Sequence, residues 1–150
     1  MNLKCLFGHK WNGCKCDRCG ATRDIFDKAC IKINSGTLND RMVAAVNIKK
    51  MLYQVSLTPE RKTRLIAALL QEMERPVQRE FDYSYARNID GLNFNGNLYI
   101  GELLSQFYND TDTALEDKEK IKSFEGRLVC YNEYDGRLRP VYFDCKNGFR

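Results

Sequence analysis

Apolar positions recur at helical spacing over two consecutive stretches of the chain. Leu38, Met42, Ala45, Val46, Lys49, Leu52 and Tyr53 fall on one stripe, and Thr37 with Asp40 three positions on has the form of an N-terminal cap with an acidic partner. The spacing predicts a helix over about 37–54. A second helix, over about 58–75, is marked by Thr58 as cap and Pro59 at the first helical position. Leu65, Ile66, Leu69, Leu70 and Met73 form its apolar stripe, and Pro76 stops it. Only Gln54 to Leu57 separates the two helices, so an antiparallel helical hairpin with facing apolar stripes is expected.

Beyond this pair the period changes. "RLVCYNEYDGRLRPVYFDC" is two strand-like runs about Asp135-Gly136, which predicts a β-hairpin over about 126–145, with Pro140 placing its second strand at a sheet edge. In that register position 130 faces 141 and position 145 faces 126, so Cys130 and Cys145 read as buried apolar residues and not as a disulfide. "GLNFNGNLYIG" reads two ways: a hairpin about Asn95-Gly96, or a helix from near Asn97 through Glu102 to Phe107. Thr113 to Phe124 predicts a short charged helix. Ile25 to Ile33 reads as a strand or linker closing at Asn34-Ser35-Gly36. The aromatic residues Phe81, Tyr83, Tyr85, Phe94 and Tyr99 read as core first and protein interface second.

Length and composition, 150 residues with 43% hydrophobic and 29% charged, suit a small metal-nucleated module beside a larger domain. No apolar run is long enough to span a bilayer, and Met1 to Phe7, soon interrupted by Gly8 and His9, is too short for a signal peptide. A cytoplasmic location is expected. The seven cysteines are odd in number and closely spaced, which favours thiolates ligating metal in a reducing compartment over disulfides. The formal net charge is +4, unevenly spread: residues 1–24 carry five Lys or Arg against two Asp, and residues 25–50 again five against two. The first third is therefore basic and the remainder slightly acidic.

That basic end holds the chemistry. "CLFGHKWNGCKCDRCGATR", Cys5 to Arg23, contains four of the chain's seven cysteines and its one histidine. Cys16-Asp17-Arg18-Cys19-Gly20 is a zinc-knuckle half-site: two sulfurs on a tight turn whose amides can point at them, followed by a glycine able to take the left-handed conformation. Cys5 and His9, with Gly8 between them, supply the second half, and Asn12-Gly13 is the turn that folds one onto the other. The ligand set is Cys5, His9, Cys16 and Cys19 around Zn2+, with Cys14 as the alternative ligand. Cys30 is a more distant candidate.

These residues, GHxW followed by GCKCxxCG and an Arg, resemble a short cysteine-rich, zinc-ribbon-like module of small phage, prophage and bacterial proteins. The resemblance covers Cys5 to Arg23 and implies zinc binding at Cys5, His9, Cys16 and Cys19, with Cys14 matching the extra cysteine, in a mobile-element setting inside a bacterial host. The His-x-Trp unit that follows the Arg in such proteins is replaced here by "DIFDKAC", which excludes a ligand borrowed from a downstream histidine.

Three thiolates and one imidazole close a zinc shell, and with His9 used no other histidine remains for acid–base work. The expectation is no enzyme. Lys10, Lys15, Arg18 and Arg23 surround the site, although three thiolates about a divalent ion leave a centre of −1 that part of this charge neutralises. Trp11 reads as packing on the knuckle before stacking on a base. A second basic patch is expected where Lys49 and Lys50 at the end of one helix meet Arg61, Lys62 and Arg64 at the start of the next.

The expected protein is thus α+β, with a zinc-ribbon-like module over 1–24 and an α+β domain over 37–150 made of the helical hairpin and a β-hairpin-containing end. Its expected role is that of a non-enzymatic zinc-binding accessory protein that uses Trp11 and the basic residues to bind and regulate or inhibit a host protein. The alternative is a DNA- or RNA-binding regulatory factor using the same residues.

Overall fold

Asp24 starts the first helix of the structure, a computed structural model that describes residues 5–6, 8–35, 38–74, 96–134 and 137–150. Its Oδ1 accepts the Phe26 N–H at 3.0 Å, and the Ile25 carbonyl accepts the first helical bond from Ala29 at 2.9 Å. The result is α1 (Phe26–Ser35), not the strand or linker expected over Ile25–Ile33. The β-branched isoleucines pointed to a strand. The deciding pattern is Phe26, Ala29, Cys30 and Ile33, all buried and spaced to line one helical face.

Two short strands precede it, β1 (Trp11–Asn12) and β2 (Lys15–Cys16), paired antiparallel with Trp11 opposite Cys16 and Asn12 opposite Lys15. After α1 comes α2 (Leu38–Gln54), which packs along it. The face α2 buries is Met42, Ala44, Ala45, Ile48 and Met51, while Tyr53, placed on the stripe by periodicity, is 79% exposed. Full burial of Phe26, Ile33, Ile48 and Met51 contributes roughly 1.5–3 kcal/mol per side chain to this helix pair.

The chain divides into two compact units, Met1–Thr58 and Pro59–Arg150. The boundary falls between the two helices expected to form a hairpin. α2 packs on α1, and the helix after the boundary, α3 (Pro59–Met73), finds its neighbours in the second unit. Leu65, Ile66, Leu69, Leu70 and Met73 of α3 are all buried, on the face that the periodicity predicts.

In the second unit α3 packs on α4 (Gly96–Asn109) and α5 (Leu115–Lys122), and α4 also lies against the sheet. Of the two readings of Gly91 to Gly101, the helical one is therefore observed from Gly96 on. The sheet is antiparallel, in the order β3 (Leu128–Tyr134), β4 (Arg137–Asp144), β5 (Gly148–Phe149). Tyr134 faces Arg137 and Cys130 faces Val141, but the register shifts between Leu128 and Cys130, so Gly126 N–H bonds to the Phe143 carbonyl and position 145 does not face 126. Gly101 lets α4 approach the sheet: a Cβ there would stand 3.0 Å from the Gly148 carbonyl oxygen.

Pro140 does not put β4 at an edge, since β4 is the central strand. The strand accommodates proline because β5 pairs only with Phe143 and Asp144. Tyr142 exchanges both backbone bonds with Arg150, and Pro140, two residues away, turns the same side of its backbone outward beyond the end of β5, where no donor is needed. The expected cap Thr37, the aromatic residues Phe81, Tyr83, Tyr85 and Phe94, and the Cys130 side chain lie outside the described residues. Among the described residues no helix is long and apolar enough to cross a membrane.

Three carboxylates of the second unit titrate below their ordinary range. The Lys62 ammonium, 2.9 Å away, lowers Asp112; the side chain and then the backbone N–H of Cys145 lower Glu125; and the Lys146 N–H lowers Asp144. A carboxyl depressed in the folded state contributes stability above its unfolded pKa and loses it as pH falls through the folded value. The second unit is therefore expected to lose stability progressively below the ordinary carboxylate range near pH 4, read as the denaturation midpoint at successive pH values.

Candidate metal centre

The segment from Cys5 to Gly20 is built by turns whose donors and acceptors are paired locally. Gly8 N–H bonds to the Cys5 carbonyl at 3.1 Å, bending the chain between Cys5 and His9. β1 and β2 are joined by Gly13-Cys14, with Gly13 at φ +65°, as a two-residue hairpin loop with glycine first requires. The turn thus lies one residue later than Asn12-Gly13. After β2, Gly20 N–H closes on the Cys16 carbonyl at 2.9 Å with φ +74°, the left-handed residue that the CxxCG spacing predicts.

These turns bring Cys5, His9, Cys16 and Cys19 together: their ligand atoms all lie within 4.8 Å of one another. Cys5 Sγ is 3.5 Å from Cys16 Sγ, and Cys19 Sγ is 3.3 Å from His9 Nδ1. Tetrahedral coordination with metal–sulfur bonds of about 2.3 Å and metal–nitrogen bonds of about 2.0 Å implies ligand–ligand edges of roughly 3.6–3.8 Å. The four donors fit a metal ion.

The electrostatics point the same way. Burial, hydrogen bonds with Cys19 and Cys16, and the charges of those two sulfurs push the Cys5 thiol up to about 12. Burial also raises Cys16, but the Cys19 and Arg18 backbone N–H groups, with His9 and Cys5, outweigh it and bring that thiol down to about 5. One sulfur is prepared as a thiolate by amides aimed at it, and its neighbour holds a proton against that charge. A divalent cation among them would attract each sulfur, outweigh the sulfur–sulfur repulsion and favour the deprotonated thiolates.

Cys14, the alternative ligand, lies outside this cluster. It is 4% exposed, its N–H and carbonyl are bonded to Gln54 and Arg23, and burial raises its thiol. Cys30 is likewise buried, on α1. The six described cysteines are free thiols.

A support not visible in the sequence holds the hairpin loop. Gln54, the last residue of α2, accepts the Cys14 N–H at 2.7 Å and donates to the Asn12 carbonyl at 2.8 Å, acting as a strand partner for the loop. Gly13 is needed here twice over, because a Cβ would lie 2.6 Å from Gln54 Oε1. A glutamine at a helix end carries no signal of this role. Gln54→Ala is expected to lower the stability of the first unit by about 1–2 kcal/mol while leaving metal content unchanged, as read by chemical denaturation and elemental analysis.

Several residues expected to face a partner are engaged within the chain. The Trp11 ring contacts both the His9 ring, centroid to centroid 4.6 Å, and the Arg23 guanidinium, 4.6 Å from the indole centroid. Arg23 also donates to the Gly13 carbonyl at 3.2 Å, and Arg18 to the Gly8 carbonyl at 3.4 Å. Lys10 and Lys15 are exposed. Of the five cations expected to form one patch, Lys49 and Lys50 belong to the first unit, and Arg61, Lys62 and Arg64 to the second. Lys62, with 12% of its side chain exposed, is ion-paired with Asp110 at 3.3 Å and Asp112 at 2.9 Å.

Compared with family models, with curated proteins and with solved structures, the chain matches none of them.

Proposed function

We propose that this chain is a zinc-scaffolded binding protein, an accessory protein of a phage or other mobile element that acts in the host cytoplasm by binding and regulating a host protein. The observation that carries this reading is the donor set: three sulfurs and one imidazole nitrogen within 4.8 Å of one another. Borderline-soft ligands of this kind suit Zn2+, and four of them complete its tetrahedral shell, leaving no position for a reacting water. The chain's one imidazole is then a ligand. The ion holds the fold and takes no part in a reaction.

Protein is favoured over nucleic acid as the partner because of what the basic and aromatic residues already do. The Trp11 ring is covered by the Arg23 guanidinium and Lys62 is ion-paired, so neither that indole nor that ammonium is held ready for bases and phosphates. The test joins elemental analysis to affinity capture. One zinc per chain is expected, together with a bacterial protein that co-purifies with the loaded chain and is lost on chelation. A chain that holds no zinc, or that binds oligonucleotides with a steep salt dependence and captures no protein, overturns the reading.

A further inference from the structure

Beside the large side chains of their core, α1 and α2 also bury small residues. Ala29 of α1 and Ala44 of α2, 5% and 4% exposed, form with Ile25 the floor of a groove between the helices, where larger side chains would have filled the space. The groove holds about 220 Å³. That is below the roughly 300–1,000 Å³ of small-molecule and cofactor sites and is the scale of one or two side chains. Val43 forms a wall and is 51% exposed, an aliphatic surface turned to solvent beside an apolar floor.

The rim is basic. Lys28 and Lys32 stand one turn apart on α1, both exposed, and Arg23 stands at the end of the groove nearest the knuckle. Asp40 is the one acid among the lining residues. Arg23 is held by its bond to the Gly13 carbonyl and its stacking on Trp11, so the metal-bearing hairpin fixes one of the three cations in place. The wider field has the same sign: residues 1–58 carry ten Lys or Arg against four Asp and no Glu. Such a field draws an acidic partner and orients it on approach. Among the described residues no aromatic side chain lines the groove to receive a base, and its floor is aliphatic, which favours a peptide over a nucleic acid strand.

We propose that the groove between α1 and α2 docks an acidic segment of the partner protein, with one apolar side chain of that segment seated on Ile25, Ala29 and Ala44 and its carboxylates paired with Arg23, Lys28 and Lys32. This rests on the reading of the chain as a protein-binding factor, and adds where the partner sits and what chemistry it presents. The apolar seat supplies affinity and the rim supplies orientation and rate.

The test uses the zinc-loaded full chain and fluorescence anisotropy of a fluorescein-labelled decapeptide in which two leucines interrupt a run of glutamates. Binding is expected, and Lys28→Glu combined with Lys32→Glu is expected to weaken it by about tenfold or more through like-charge repulsion. Val43→Ser is expected to weaken it by about threefold, because it removes apolar surface from the wall. Reversing Lys120 and Lys146 of the second unit to glutamate should leave binding unchanged. Zinc content and far-UV circular dichroism, unaltered in every variant, show that the fold is retained. The proposal is overturned if the acidic peptide does not bind, if the double reversal binds it equally well, or if the peptide with lysines for glutamates or a labelled single-stranded 20-mer binds as tightly. A captured host protein retained equally by the double reversal overturns the groove and leaves the protein-binding reading standing. Capture of no protein removes that reading, and the peptide measurement still decides whether the groove binds an acidic chain.

Discussion

Replacing Cys16 or Cys19 by serine is expected to abolish zinc binding and to unfold the chain from Cys5 to about Arg23, with the second unit unaffected. The reason is the balance between the ion and the small core it would leave behind. A structural zinc site contributes an apparent 10–16 kcal/mol at neutral pH, and a serine hydroxyl does not deprotonate to replace a thiolate. Against this, β1, β2 and their turns bury little beyond Cys14 and Cys16. Gln54 and Arg23 cannot hold the hairpin by four hydrogen bonds, each contributing about 1 kcal/mol. The helix pair has its own core in Phe26, Ile33, Ile48 and Met51 and should remain helical. Cys14→Ser gives the contrast. It should keep the metal and cost about 1–3 kcal/mol for burying a hydroxyl. Elemental analysis with amide NMR spectra separates these outcomes, and full zinc content in Cys16→Ser or Cys19→Ser would remove that residue from the shell.

Phe143→Ala is expected to have the largest effect on the second unit, a loss of about 3–5 kcal/mol, the range for truncating a fully buried aromatic. Phe143 is 0% exposed, on the central strand β4. Its backbone pairs with Arg127, its strand position faces Phe149, and its ring lies where α4 comes closest at Gly101. The cavity therefore opens where helix and sheet meet. A small domain of total stability about 5–15 kcal/mol would lose much of its margin, and its melting temperature would fall by about 12 °C or more. Zinc content should not change. A single melting transition that shifts as a whole, metal release included, would show that the two units fold as one.

The two expected effects fall on opposite sides of Thr58 and Pro59, and that boundary is where the sequence reading and the structure part. α3 is legible by itself, because Pro59 and the spacing of Leu65, Ile66, Leu69, Leu70 and Met73 encode it locally. Which helix α2 packs against is not a local property. Periodicity finds a stripe but cannot say what covers it, and the isoleucines of α1 disguise it as a strand, so the sequence offers α3 as the nearest partner for α2. The face of α2 shifted with the partner: Ile48 and Met51 are inside and Tyr53 is out. Pro140 shows the same limit, since its tolerance in β4 depends on how short β5 is.

The convergence of Cys5, His9, Cys16 and Cys19 is the part of this protein that its sequence determined without help. Turn chemistry acts over three to five residues, so Cys5 with His9 and Cys16 with Cys19 could be paired from spacing alone. The choice between Cys14 and Cys16 could not, because the two differ only in where the hairpin loop falls, and that depends on Gly13 meeting Gln54 forty-one residues away. The engagement of Trp11 and Arg23 with each other, the pairing of Lys62 with Asp110 and Asp112, and the basic groove between α1 and α2 belong to the tertiary structure in the same way. Each is a contact between segments whose separation along the chain carries no record of their closeness in space.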